Sequence, residues 1–271
     1  MTRYSLMTVV LFAPLVTHGA DSRIADCEAA WKQLFADSVA GGRTHDTAAL
    51  LTSWKRHGAA CTGTGVFEYR MAVLEMALGD LTEAQALLST ASAWPVPYAQ
   101  NASLLRLRMR LAEYAAQYPI PMDKVRALKP DYLAAVASLG GSATAYNQVA
   151  NYLVLIGDYA QAIPYAEQSL QLQPELWDSN RSLAIAYSRT GNCAGAVFAG
   201  RRAQELRDSL IKDPEFMYSV TRGYAGAGNI KVAEMTLALL NQQVPSARGS
   251  RDWNDAISFI RAQLAAGNQK N

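Results

Sequence analysis

Apolar residues recur along most of the chain at the spacing of one face of an α-helix. Tyr146, Val149, Leu153 and Ile156 follow one another at intervals of three and four residues, which places them on one side of a helix. Similar patterns predict further helices over 24–38, 47–57, 99–117, 122–138 and 250–266. We therefore expect an all-α protein.

The helical pattern also repeats. Glycines at 157, 191 and 228 are separated by 34 and 37 residues, and an alanine follows each of them five residues later, at 162, 196 and 233. Glycine suits the turn between two helices, and alanine suits a place where two helices approach closely. These features predict three consecutive helix pairs over 143–245. Gly79 and Ala84 mark a fainter copy of the pattern over 66–92.

The pattern resembles the tetratricopeptide repeat family, in which each 34-residue helix-turn-helix has a small residue at position 8, glycine or asparagine near position 15, alanine at 20 and proline near 32. The resemblance implies an α-solenoid of stacked helix pairs that ends in a capping helix. It divides the chain into an atypical N-terminal helical pair, degenerate repeats, three clear repeats and the cap, over 21–65, 66–142, 143–245 and 246–271.

Two features depart from the family pattern. Asp208 stands where proline would end the second clear repeat, and we expect the helix there to continue to Lys212. Pro164 lies inside a predicted second helix, which it should kink unless it falls in the first turn.

The first twenty residues have the layout of a secretory signal peptide. Arg3 precedes an apolar stretch from Leu6 to Val16, and small residues follow up to Ala20. This stretch of eleven residues is shorter than the roughly 20 that a membrane-spanning helix needs. We expect cleavage near residue 20 and a periplasmic protein without membrane insertion; an uncleaved anchor or a buried helix is the alternative.

Export would place the three cysteines in an oxidising compartment. Cys27 and Cys61 could then form a disulfide across 34 residues and leave Cys193 unpaired; three buried thiols are the alternative. A loop of that length would stabilise the fold by roughly 3 to 4 kcal/mol.

Composition and motifs exclude several classes of function. The formal net charge of +2 makes a nucleic-acid partner unexpected, because phosphate recognition depends on clustered lysine and arginine. We find no sequence motif for a nucleotide, a metal or a catalytic nucleophile, and we expect no cofactor, no metal and no enzymatic activity. Beyond the leader, the histidines are His45 and His57.

The resemblance implies a groove lined by defined positions of the first helices. Arginine and asparagine there could hold a peptide backbone or a carboxylate, although an ordinary solvated helix face is the alternative. The positions implied in this chain are Thr144, Asn147, Asn151, Asp178, Arg181, Arg189, Tyr218 and Arg222.

These expectations lead to three functional hypotheses. The first is a non-enzymatic scaffold that binds a protein or peptide in the groove, as an accessory of a secretion, pilus or exopolysaccharide assembly. The second is an immunity protein that inhibits a secreted toxin. The least favoured is a hydrolase in the N-terminal region, which would draw on Asp26, Glu28, Asp37, Asp46 and His57.

Overall fold

The computed structural model describes residues 22–40, 46–95, 98–139 and 142–268. The chain divides into two compact units, one up to residue 139 and the other from residue 140. All regular elements among the described residues are helices. None of these helices is both long enough and apolar enough to cross a membrane. The predicted signal peptide lies outside the described residues.

The first unit contains seven α-helices in its described part. Its core includes an aromatic cluster in which the Trp31 ring lies 5.2 Å from that of Trp54, edge to face, and the Trp54 ring lies 5.9 Å from that of Phe67. The helices are α1 (Ser22–Ala40), α2 (Thr47–His57), α3 (Val66–Leu78), α4 (Leu81–Leu88), α5 (Tyr98–Ala115), α6 (Met122–Ala127) and α7 (Lys129–Ser138).

A disulfide and a partly buried ion pair join α1 to the rest of this unit. Cys27 on α1 is bonded to Cys61, and Cys193 is the free cysteine. The next residue of α1, Glu28, accepts two hydrogen bonds of 3.1 Å from Arg70 on α3 and a third from the hydroxyl of Tyr98. The N-terminal helix is therefore held by covalent and polar contacts as well as by its apolar side.

The single helix predicted over 122–138 is wrong. The segment forms two helices that meet at Leu128. Pro130 lies in the first turn of α7, where its missing N–H is not needed. Inside one long helix the same proline would remove a hydrogen bond, so the chain starts a new helix instead.

The second unit consists of three helix pairs followed by a single helix. In each pair the turn contains a glycine with φ between +82° and +88°, at 157, 191 and 228, a left-handed conformation that disfavours other residues. Ala162, Ala196 and Ala233 are fully buried. The helices are α8 (Ala143–Leu155), α9 (Tyr159–Leu172), α10 (Trp177–Thr190), α11 (Cys193–Leu206), α12 (Pro214–Gly226), α13 (Ile230–Gln243) and α14 (Arg251–Asn268).

Two local expectations in this unit are resolved by the structure. The α-helical continuation to Lys212 is wrong, because α11 ends at Leu206, Arg207 is extended, and a short 3-10 helix spans Asp208–Lys212. Pro164 is the sixth residue of α9 and lies inside the helix rather than in its first turn. There it removes one backbone hydrogen bond.

Candidate functional site

The first helices of the three pairs, α8, α10 and α12, pack side by side, and α14 packs on α12 in the same manner. We call the side of these helices that carries the predicted groove residues the first-helix face. It is defined by Asn151, Arg181, Arg189, Arg222 and Phe259, all partly exposed.

At the α8 end of this face, the predicted asparagines bind a carboxylate of the protein itself. Asp178, in the first turn of α10, accepts hydrogen bonds from Asn147 at 3.2 Å and from Asn151 at 2.7 Å. The hydroxyl of Ser182 donates to Asn151. Asn147 and Asp178 are buried, so this network joins α8 to α10. Thr144 is also buried.

In the middle of the face, Arg181 is held between two acidic residues. Its Nε donates to Asp213 at 2.6 Å, and its terminal nitrogen donates to Glu215 at 3.2 Å. Burial lowers the pKa of Arg181, but its acidic neighbours outweigh burial and hold the pKa above its usual value. The charge of Arg181 is thus used to join α10 to α12.

Tyr218 also forms its contacts within the protein. Its side chain is buried, and its hydroxyl lies 2.9 Å from both the carbonyl oxygen of Ala247 and the hydroxyl of Ser250. These contacts anchor the segment that leads into α14. Tyr218 therefore positions the cap.

Arg189 and Arg222 differ from the other predicted residues. Arg222 stacks on the ring of Phe259, 4.4 Å from the ring centroid, and forms no hydrogen bond or ion pair with any described residue. Arg189 has one long ion pair, 3.5 Å to Asp252. The Nε atoms of both arginines are buried and have no hydrogen-bond partner among the described residues.

The two guanidinium groups are close enough to influence each other. Burial lowers the pKa of Arg222, the positive charge of Arg189 lowers it further, and the carboxylate of Asp255 on α14 offsets part of this shift. Like charges held together gain most from an anion that neutralises both of them. Asp252 and Asp255 on α14 offset these positive charges only in part, so an acidic group of a ligand would find two like charges to neutralise.

The structure brings some of the predicted residues together and separates others. It also adds contact residues that the repeat pattern did not predict. Asn147 and Asn151 meet at Asp178, whereas Arg189 and Arg222 form a separate group nearer the cap. The repeat pattern gives no role to Asp252 or Phe259, because both belong to α14. Their only sequence signal is their place in the capping helix, beside the last repeat.

In the N-terminal region, several residues considered for hydrolysis have structural partners. Asp46 accepts a hydrogen bond from the backbone of Ala49 and caps α2, Glu28 pairs with Arg70, and Asp37 accepts a hydrogen bond from Gln33. A ring nitrogen of His57 lies 2.8 Å from the backbone oxygen of Ser53. Within the described ranges no cluster of three or more metal-binding side chains occurs; His45 lies outside them.

No protein-family model and no curated protein matches the chain. Solved structures show a distant likeness. BtubC (BKLC) from P. vanneervenii has a TM-score of 0.48 and 14% identity, over 87% of this chain and 94% of that one. TTC0263, a thermophilic TPR protein in Thermus thermophilus, has a TM-score of 0.33 and 16% identity, over 87% of this chain and 100% of that one.

Proposed function

We propose that the protein is a non-enzymatic scaffold that holds an acidic segment of a partner protein on the first-helix face, at Arg189 and Arg222. The observation that carries the proposal is the guanidinium of Arg222, which forms no hydrogen bond or ion pair with any described residue while its ring contact with Phe259 holds it in place. A positioned guanidinium is well suited to two parallel hydrogen bonds with a carboxylate.

The other polar residues of the face support this choice of site by exclusion. Asn147, Asn151 and Arg181 already pair with carboxylates of the protein. Using any of them for a ligand would break a contact between helix pairs. Arg189 and Arg222 remain, and both are partly exposed.

The proposal places the protein outside the cytoplasm, most simply in the periplasm, as an accessory of an export or surface assembly. The Cys27–Cys61 disulfide supports this location, because disulfides persist in oxidising compartments. The layout of residues 1–20 as a leader supports it as well.

The binding site can be tested with a short fluorescent peptide rich in glutamate and a matched peptide with glutamine at each acidic position. Fluorescence anisotropy should show binding of the acidic peptide only. Arg222→Glu should weaken that binding by at least about tenfold, because it replaces an attraction with a repulsion. Arg189→Glu should act in the same direction.

Arg201→Glu is the matched control, since Arg201 is an exposed arginine on α11 and the charge change is the same. It should leave the affinity unchanged. Circular dichroism would verify that each variant is folded. Equal binding of the two peptides, or equal affinity of Arg222→Glu and the unaltered protein, would show that this site does not recognise acidic segments.

A further inference from the structure

A cleft of about 520 Å³ opens between the last two helices, α13 and α14. Its apolar floor is formed by Leu237 and Ala238 on α13 and by a stripe on α14. The stripe residues are Trp253, Ile257, Ile260 and Leu264, spaced by three and four residues and therefore on one side of the helix. This side differs from the side of α14 that carries Asp252 and Phe259.

The preceding helix pair shows how such a stripe is normally covered. Phe216 and Val220 on α12 lie 37 residues before Trp253 and Ile257, and they are 0% and 1% exposed. Val220 lies close to Gly200 of the preceding second helix, α11, and α12 packs against both α11 and α13. On α14 the cleft leaves the corresponding stripe partly open: Trp253 and Ile257 are only half-buried, and Leu264 is 41% exposed.

The charges at the border of the cleft have both signs. Glu234 belongs to α13, Arg261 belongs to α14, and Arg248 lies in the segment between the two helices. None of these three side chains forms an ion pair or hydrogen bond within the part of the chain that the structure describes. A surface that is apolar in its centre and carries unpaired charges of both signs is complementary to a second copy of itself.

We propose that two copies of the protein associate through this cleft, with α14 of each copy packed into the cleft of the other about a two-fold axis. The covering helix must have an apolar stripe and nearby charges of both signs, and α14 with its surroundings has both. Each apolar stripe is then covered on its open side. The dimer leaves Arg189 and Arg222 in place, and it is independent of the proposed function.

Sedimentation equilibrium at micromolar concentration tests the proposal with the purified protein. The expected result is a species of twice the chain mass. Ile257→Glu puts a charge in the centre of the apolar floor and should give monomers. Met235→Glu is the matched control, because Met235 is 63% exposed on α13 and does not line the cleft; it should leave the dimer intact.

A second variant covers the case in which Ile257→Glu fails to fold. Arg248→Glu combined with Arg261→Glu changes exposed residues only and makes the border of the cleft acidic. Two copies should then repel, with at least about a tenfold rise in the dissociation constant that added salt reverses. A monomeric unaltered protein would overturn the proposal, as would a dimer that none of the cleft variants weakens.

Discussion

Gly200 lies in the interior of α11 at a point where α12 passes very close. An alanine Cβ at this position would lie 2.6 Å from Cγ2 of Val220, and Val220 is buried. Alanine usually stabilises a helix interior by about 1 kcal/mol relative to glycine, but overpacking of a core by one carbon destabilises by about 1 to 3 kcal/mol. We therefore expect Gly200→Ala to lower the free energy of unfolding by about 1 to 2 kcal/mol in a urea titration.

The same change should reverse sign when Val220 is shortened. In a Val220→Ala background the contact atom is absent, so the alanine at 200 fills space and favours the helix. Gly200→Ala should then raise the free energy of unfolding by up to about 1 kcal/mol. If Gly200→Ala destabilises both backgrounds equally, the close approach to Val220 is not what requires glycine there.

Tyr69 links the stability of the first unit to alkaline pH. Burial raises the pKa of Tyr69 to about 12, above its ordinary value of 10.0. Between pH 10 and 12 the unfolded chain loses this phenolic proton while the folded chain keeps it, so stability falls as pH rises. Tyr69→Phe should make the free energy of unfolding decline less steeply over this range, as measured by urea titrations at several pH values. Below pH 9 the slopes of the two proteins should coincide.

The contacts of single polar residues show what a single sequence does not predict. The repeat period singles out Asn147 and Arg181, because a helical period specifies which side chains share a face. Their partners Asp178 and Asp213 lie 31 and 32 residues further along the chain. Whether those carboxylates reach them depends on how neighbouring helices cross and on side-chain rotamers, and neither is visible in a single sequence.

At the scale of the element, α1 depends on its disulfide. The Cys27–Cys61 bond spans 34 residues, and a loop of that length lowers the entropy of the unfolded chain enough to stabilise the fold by about 3 to 4 kcal/mol. Cys27→Ser combined with Cys61→Ser should lower the free energy of unfolding by about that amount. The unaltered protein with added reductant should approach the same value in a urea titration.

Cys193→Ser is the matched control for this loss, because Cys193 is free and only half-buried. It should change the urea midpoint little. A thiol assay on the native protein should find one thiol per chain. Three thiols, or an equal loss of stability in the control, would contradict a stabilising role for the bond.

Helix boundaries were open to prediction where a residue has a strong local reason to end or start a helix. The left-handed glycines at 157, 191 and 228 mark the turns from sequence alone. The break at Leu128 depends on Pro130, a proline that a helix tolerates only in its first turn. The extended Arg207 has no comparable signal: its guanidinium stacks on Trp177, 4.1 Å from the ring centroid, a contact between distant residues.

At the scale of the whole molecule, the helical packing gives the composition a cause. The chain contains 47 alanines, and many of them, such as Ala150, Ala184 and Ala233, are fully buried where helices meet. The net charge is near neutral, so individual charged residues matter more than the field of the whole protein. On the first-helix face Arg181 is paired with two carboxylates of the protein, so recognition of an acidic partner would depend on Arg189 and Arg222 rather than on a general field.

For the chain as a whole, we predict export from the cytoplasm. A leader of the predicted type is removed during secretion, and the oxidising compartment then closes the Cys27–Cys61 bond. Protein isolated from the cells that produce it should therefore have an intact mass lower by about twenty N-terminal residues and by the two hydrogens lost to the disulfide. The same gene expressed in a reducing cytoplasm without its leader should give three free thiols and a lower urea midpoint. Native protein that retains Met1 and three thiols would show that the chain is not exported, and the partner would then have to be sought inside the cell.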